Sequence, residues 1–395
     1  MSLNGRFRRV AFRRRKEPRL STLTGPACTV THTSKVDRSP RPGRQTPQPA
    51  AGEEDRVKKE DYLREKIRAL DPKECTTPDR LVRGLRRCAF QGRALAYAVD
   101  VWEAMCRDRN CLRVISLAGA MVPAGMGELV ATLIEEGLLD VVICTGATIA
   151  HDLCNICAEE QQAHYIGDPF ADDVELRELE INRVYDTYIT EDAFYHAEHI
   201  LDLMMKELDY ERRGDLRVIP TAEFCRQVGE RLQGRGILTV AARKGVPIFI
   251  PAISDSELGL NVVAANERDW FGDGSRLVFD TLADVEHFGR LICGQPRAGL
   301  VSVGGGVPRN WAQQIYPFLN MKTRPEKAPA TGYHYGVRIT TDRPEFGGLS
   351  GCTISESKSW GKYEKRAVEA TVISDATIAL PLMVSALLER LRTAG

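Results

Sequence analysis

The run LRVISLAGAMVPAGMGELVATLIEEGLLDVVICTG, residues 112–146, constrains the fold more than any other stretch. It opens with the strand-like RVISLA, turns through Gly, Ala and Pro, and continues as MGELVATLIEEG, a helical pattern stopped by Gly137. A second apolar strand, DVVICTG, follows. A strand wetted on one face alternates apolar and polar residues. These two do not alternate, so both faces must be covered, as in a parallel sheet between helical layers. The run therefore reads as a βαβ unit.

The same alternation recurs along the chain. VKKEDYLREKIRAL (57–70) and ALAYAVDVWEAMCRD (94–108) have helical spacing upstream of that unit. Downstream, TAEFCRQVGERL is a helix, VPIFIPAI (246–253) and RLVFDT (276–281) are strands, and LADVEHFGRLIC is a helix. AGLVSVGGG (298–306) ends a strand in three glycines, and PRNWAQQIYPFL opens a helix with Pro308 in its first turn. EATVISDA and ATIALPLMVSALLERL give a final strand and helix, while NERDWFGDGS (266–275) and 320–332 read as polar loops. The fold class is α/β, one doubly wound and mostly parallel sheet, with ligands expected at the carboxyl ends of its strands.

Composition matters at the amino terminus. The chain balances 54 Lys and Arg against 54 Asp and Glu, yet residues 1–50 hold twelve basic residues and only Glu17 and Asp37. With six prolines and no apolar periodicity, residues 1–55 are expected to be a disordered basic tail before a domain over 56–395. Such a tail is an organellar transit peptide, a nucleic-acid-binding arm or a floppy extension, and composition leaves the three open. No apolar run reaches the roughly 20 residues that cross a bilayer. Eleven cysteines at irregular spacing favour reduced thiols, hence a cytoplasmic protein.

Several motifs carry chemistry, each beside a plainer reading. TGAT (145–148) and GGG (304–306) stand where parallel strands end, either as tight turns or as a nucleotide cradle at helix N-termini. Neither is a G-x-G-x-x-G fingerprint. Asp255, Ser256 and Glu257 follow an apolar strand, either capping a helix or holding a ribose or an ammonium. HDLCNIC (151–157), with Cys144 upstream, lacks the second ligand pair of a metal site, so its thiols are expected to pack; no metal is expected. His196 and His199 read as a solvated helix face. In ESKSWGKY (356–363), Lys362 is either a solvated loop lysine or, walled by Trp360, a desolvated amine that stays neutral and attacks carbon.

Taken in order, GMGELVATLIEEGLLDVVICTGATIAHDL, GVPIFIPAISDSELG, LVSVGGGV, SESKSWGKY and ISDATIALPL resemble the deoxyhypusine synthase family, from about residue 90 to the carboxyl terminus. The resemblance implies a Rossmann-like NAD-binding fold, and homotetramers built from dimers with active sites at the dimer interface. It implies dehydrogenation of a polyamine, capture of the resulting aminobutyl imine by a lysine, and transfer to an acceptor amine. It assigns the catalytic lysine to Lys362, the pocket wall to Trp360 and an amine-binding carboxylate to Glu356. NAD contacts fall on Ala118, Gly119, Ala120, Thr145, Gly146, Asp255, Gly305, Gly306, Asp375 and Ala376.

The departures from the family pattern bear on the substrate. Trp311 stands where the family carries a histidine after the glycine turn, and Leu260 and Leu349 stand at two acidic positions that anchor amines. An acid on the NAD side of TGATIAHD appears as His151. A buried ammonium without its carboxylate costs several kcal/mol. The expected acceptor is therefore a small amine, as in relatives that make homospermidine, ahead of a protein lysine; an NAD-dependent amine oxidoreductase or lyase, or a non-catalytic homologue, is the alternative.

Overall fold

The computed structural model describes residues 59–323 and 331–393. The expected tail, residues 1–55, lies outside them. A four-residue helix, Lys59–Tyr62, belongs to a first unit, Met1–Tyr62, and everything below belongs to the second, Leu63–Gly395. The helix expected over 57–70 is thus much shorter among the described residues, because residues 63–70 are irregular.

The second unit is built on six strands: β1 (Cys111–Leu117), β2 (Val141–Cys144), β3 (Ile248–Phe249), β4 (Arg297–Val303), β5 (Tyr333–Thr340) and β6 (Tyr363–Ile373). The helices that position the site are α1 (Phe90–Arg107), α2 (Gly127–Glu135), α3 (Gly146–Cys157), α4 (Glu257–Glu267), α5 (Gly306–Thr323), α6 (Ile354–Ser359) and α7 (Ala376–Thr393). The strands run in the order β3-β2-β1-β4-β5-β6, and every neighbouring pair is parallel. From β1 the chain builds outward to β3, then returns to the other side of β1 to place β4. The order reverses between β1 and β4, so their following loops diverge and open a crevice at the carboxyl edge.

Both faces of the sheet are covered, as the unbroken apolar strands required. Ile115, Leu117, Val142 and Val337 point into a core closed by α1, α2 and α7, through residues such as Trp102, Leu133 and Met383. Their neighbours Val114, Val141, Ile143 and Leu300 point the other way, onto Ala312, Ile315 and Tyr316 of α5 and Phe288 of the helix Thr281–Cys293. Each such side chain contributes roughly 1.5–3 kcal/mol by leaving water. A charge at Val114, which is 0% exposed, would be stranded between sheet and helix.

Three expectations needed correction. The strand over 246–253 pairs only at Ile248–Phe249; the Ile250 N–H donates to Thr221 Oγ1 at 3.0 Å instead of to a strand. The strand in RLVFDT forms, as Arg276–Phe279, but in a separate three-stranded sheet with Glu211–Arg213 and Leu216–Ile219. Of the loop expected over 320–332, residues 320–323 belong to α5, and 324–330 lie outside the described residues. A second small sheet joins Tyr165–Ile166, Ile181–Val184 and Thr187–Thr190.

Candidate active site

ESKSWGKY is largely helical. Thr353 caps α6, its Oγ1 accepting the Glu356 N–H at 3.0 Å, and the Lys362 N–H donates to Ser357 O at 3.1 Å where the helix ends. Gly361 takes the left-handed conformation (φ 68°) that reverses the chain after Trp360 and feeds it into β6. The reversal buries Lys362, 7% exposed, immediately before the strand. Its Nζ donates to Asn310 Oδ1 at 3.0 Å and stands 5.8 Å from the centre of the Trp360 ring. Burial is the main force holding this amine below its ordinary value of 10.5; Arg309 pulls the same way, while Cys352 and Glu356 oppose. The solvated-lysine reading is thereby replaced.

Around Lys362 lies a cavity of about 370 Å³ lined by Asn310, Gln314, Leu349, Cys352, Glu356 and Trp360. Among the described residues Glu356 is its one carboxylate. Leu349 lines this cavity, and Trp360, 65% exposed, forms an outer wall.

Two smaller cavities adjoin the reversal point of the sheet. One, of about 160 Å³, is lined by Ala118, Thr145, Asp255, Gly305 and Gly306; the other, of about 200 Å³, by Ala118, Gly305, Ser350, Asp375 and Ala376. Gly119 (φ 87°) turns the chain after β1, with Ala120 following. Thr145 caps α3 through the Thr148 N–H, and a Cβ on Gly146 would lie 2.1 Å from Ser256 Oγ. Asp375 Oδ1 accepts from the Thr377 N–H at 2.7 Å at the start of α7. Ser256, not Asp255, stands at the cap of α4, and its hydroxyl donates to Ile253 O at 2.7 Å. Asp255 therefore keeps its carboxylate for the cavity.

Two expected residues lie elsewhere. Trp311 turns away from Lys362 and stacks on Phe288, ring centres 5.2 Å apart, with Phe249 at 5.4 Å. One residue is about 100° on a helix, so the side chain facing the lysine is Asn310, which sequence reasoning missed. The rotation of α5, with Ala312 and Ile315 buried against the sheet, is the signal that would have found it. Leu260, 61% exposed on α4, does not line the Lys362 cavity of its own chain.

The HDLCNIC segment is a packed helix. Burial raises the Cys154 thiol to about 12 and the Cys157 thiol to about 11. His196 and His199 are exposed. His151 joins a chain of three groups. The Ala163 N–H fixes Asn155 Oδ1 (2.9 Å), which also accepts from His164 Nδ1 (2.8 Å). With burial favouring the neutral rings, His164 Nε2 accepts from His151 Nδ1 at 2.9 Å and each imidazole carries its proton on Nδ1. Burial lowers both, His164 to about 4.

The sequence profile of deoxyhypusine synthase matches residues 80–387. "Probable deoxyhypusine synthase 2" of Methanosarcina mazei is 36% identical over 320 residues, covering 79% of this chain and 87% of the relative. A deoxyhypusine synthase-like protein of Chlorobaculum parvum is 31% identical over 341 residues, 84% of this chain and 91% of that one. The crystal structure of a candidate deoxyhypusine synthase from Entamoeba histolytica superposes with a TM-score of 0.54 at 16% identity, over 82% of this chain and 97% of that one, and so shares the fold. With a matching profile over most of its length, the parallel sheet and a buried lysine just before β6, this chain belongs to the deoxyhypusine synthase family.

Proposed function

We propose that this protein is an NAD-dependent transferase that moves an aminobutyl-type group from a polyamine or related amine to a small acceptor amine through a lysine-bound imine. The observation that carries the proposal is Lys362: buried, held below the usual lysine range, and aimed into a cavity with a carboxylate and an indole.

The residues at the reversal point fit a dinucleotide. A Cβ on Gly305 would meet Ser350 Cα at 2.5 Å, so only glycine leaves the backbone open there. The amino ends of α3 and α5 meet the same cavity through Thr145 and Gly306, with N–H groups suited to a pyrophosphate. Asp255 is placed for a ribose hydroxyl. When bound, the nicotinamide supplies reversible two-electron oxidation of an amine to an imine.

The chain's own groups do the rest. Glu356 holds an ammonium end, and the exposed face of Trp360 covers it. Lys362, neutral, attacks the imine carbon; a carbon–nitrogen bond forms to Nζ and the bond to the departing amine breaks, a lysine proton leaving with that amine. An acceptor amine reverses the exchange. With Glu356 the one carboxylate among the described residues in about 370 Å³, a diamine is better matched than a triamine, which supports a putrescine-like acceptor. The same reading has the site at the interface of two copies, in a dimer of dimers.

Incubation with NAD and spermidine, putrescine or agmatine, followed by borohydride and peptide mass analysis, tests the reading. The expected result is a reduced alkylamine adduct on Lys362 and a transferred product such as homospermidine. Oxidised amine without adduct would replace transfer by an oxidoreductase or lyase; no NAD-dependent chemistry would leave a non-catalytic homologue.

A further inference from the structure

We propose that Arg309 and Arg338 are positioning residues for Lys362: they pin the turn that divides the amine cavity from the dinucleotide cavities, and Arg309 sets positive charge beside the lysine. Arg338 stands next to Arg309, with Asp342 opposing at Arg338 without an ion pair among the described residues. The inference rests on the reading of Lys362 as the nucleophile.

The turn is Leu349–Cys352. Leu349 and Cys352 face the amine cavity, while Ser350 between them lines the cavity of Asp375 and Ala376. A single turn of backbone is therefore a wall with two wet sides. Such a turn cannot bury its own side chains for stability, and its carbonyls must be held from below. Arg309 Nη1 donates to Leu349 O at 3.1 Å and Nη2 to Cys352 O at 2.7 Å; Arg338 Nη2 donates to Ser350 O. The planar fork of Arg309 spans both ends of the turn, which a lysine could not do.

Both arginines are 2% exposed, and neither forms an ion pair among the described residues. Arg338 Nε is buried without a partner. Buried cations are ordinarily matched by carboxylates, because an unmatched one is costly. Burial first, then Arg309, lowers Arg338 to about 10, so the two cations feel each other.

The groups around Lys362 make the consequence specific. From α6 it faces Glu356, from the turn Cys352, from α5 Asn310 and Arg309; Arg338 lies behind Arg309 on β5, and Tyr363 beside it is buried against Gln313. Asn310 accepts the lysine's hydrogen bond without adding negative charge. Arg309 precedes Asn310 on α5, so one turn of helix fixes the wall and the lysine's acceptor together. A shift of the wall moves the acceptor, and loss of the charge lets the amine hold its proton.

The test reads the amine itself, without turnover. Full-length protein is pulse-labelled with trace acetic anhydride from pH 6 to 11, and acetylation of Lys362 is followed by peptide mass analysis for wild type, Arg309→Met, Arg309→Lys and Arg338→Gln. Arg309→Met should move the labelling midpoint up by about half to one pH unit, a loss of about three- to tenfold in labelling near neutrality. Arg309→Lys, which keeps the charge and loses the fork, should keep the midpoint. Arg338→Gln should shift the midpoint in the same direction by less. Midpoints that coincide with wild type in Arg309→Met and Arg338→Gln, whatever happens to Tm, overturn the proposal. If Arg309→Met fails to fold, the Arg338→Gln midpoint decides. A shifted midpoint in a protein that never traps an amine adduct upholds the brace and removes the transfer reading.

Discussion

Lys362 and Asn310, 52 residues apart in sequence, meet because the turn that feeds β6 packs against the first turns of α5. The choice of an amide there is a physical statement. An imidazole could take a proton and a carboxylate would hold the lysine charged, whereas Asn310 Oδ1 accepts one hydrogen bond and leaves the amine free to lose its proton. Replacing Asn310 by Asp should therefore raise the lysine's pKa by about one unit or more, since an opposite charge at hydrogen-bond distance favours the cation. Transfer at neutral pH should fall by about tenfold and recover as pH rises, and a pH–rate profile of wild type against Asn310→Asp checks it. An unchanged profile would show that some other group sets the protonation of Lys362.

Among the elements, the α3 helix and the segment after it carry a pH dependence of their own. His164 is lowered from 6.5 to about 4 by burial, and His151 is lowered as well. The unfolded chain therefore binds more protons than the folded one as pH drops below 6.5. Stability from this pair is whole above that pH and drains as pH falls toward 4, a loss of at most about 3 kcal/mol for His164. Melting curves between pH 7 and 4 should show a steeper fall of Tm for wild type than for His164→Gln; parallel curves would contradict the neutral pair. Sequence and structure also part company at this scale in an instructive way. β1, β2 and β4 were legible because uninterrupted apolar runs admit few other folds, and the glycine turns because they end such runs. Lys362 and Glu356 were legible only through the resemblance of SESKSWGKY to the family, since the strand that follows opens on Tyr363, Glu364, Lys365 and Arg366. β5 went unread: it alternates Tyr335, Val337 and Ile339 with Gly336, Arg338 and Thr340, which resembles a half-wet strand. Its polar side is in fact buried, with Arg338 2% exposed. Asn310 went unread because Trp311 is the more conspicuous neighbour, and only the packing of α5 on the sheet sets which of the two faces the lysine.

Across the second unit, one buried cation ties early and late chain together. Arg390 of α7, 3% exposed, pairs with Asp79 of the helix Pro78–Arg86 and reaches Asp100 at 2.8 Å and Glu103 at 3.1 Å on α1. Arg390→Met removes the cation and leaves Asp79 buried with only Arg83 beside it, at a cost of about 3 kcal/mol. The expected Tm decrease is about 5–10 °C in thermal melts at neutral pH. A shift of less than a degree would mean that water already compensates the three carboxylates.

The two-residue strand β3 has a consequence for how copies of this protein meet. A sheet grows by offering unpaired N–H and C=O groups along its rim, and a long, flat rim invites a neighbour's backbone. Here one rim is too short to recruit a strand, and the next N–H, at Ile250, is already taken by Thr221. The opposite rim, β6, carries Glu364, Lys365, Arg366 and Glu369, and its last N–H, at Ile373, donates to Gln91 Oε1 at 2.7 Å. Each end of the sheet is stoppered by a side chain. Self-association through backbone pairing, with its drift toward fibres, is thereby discouraged, and contact between copies is left to helices and loops, which include those around Lys362.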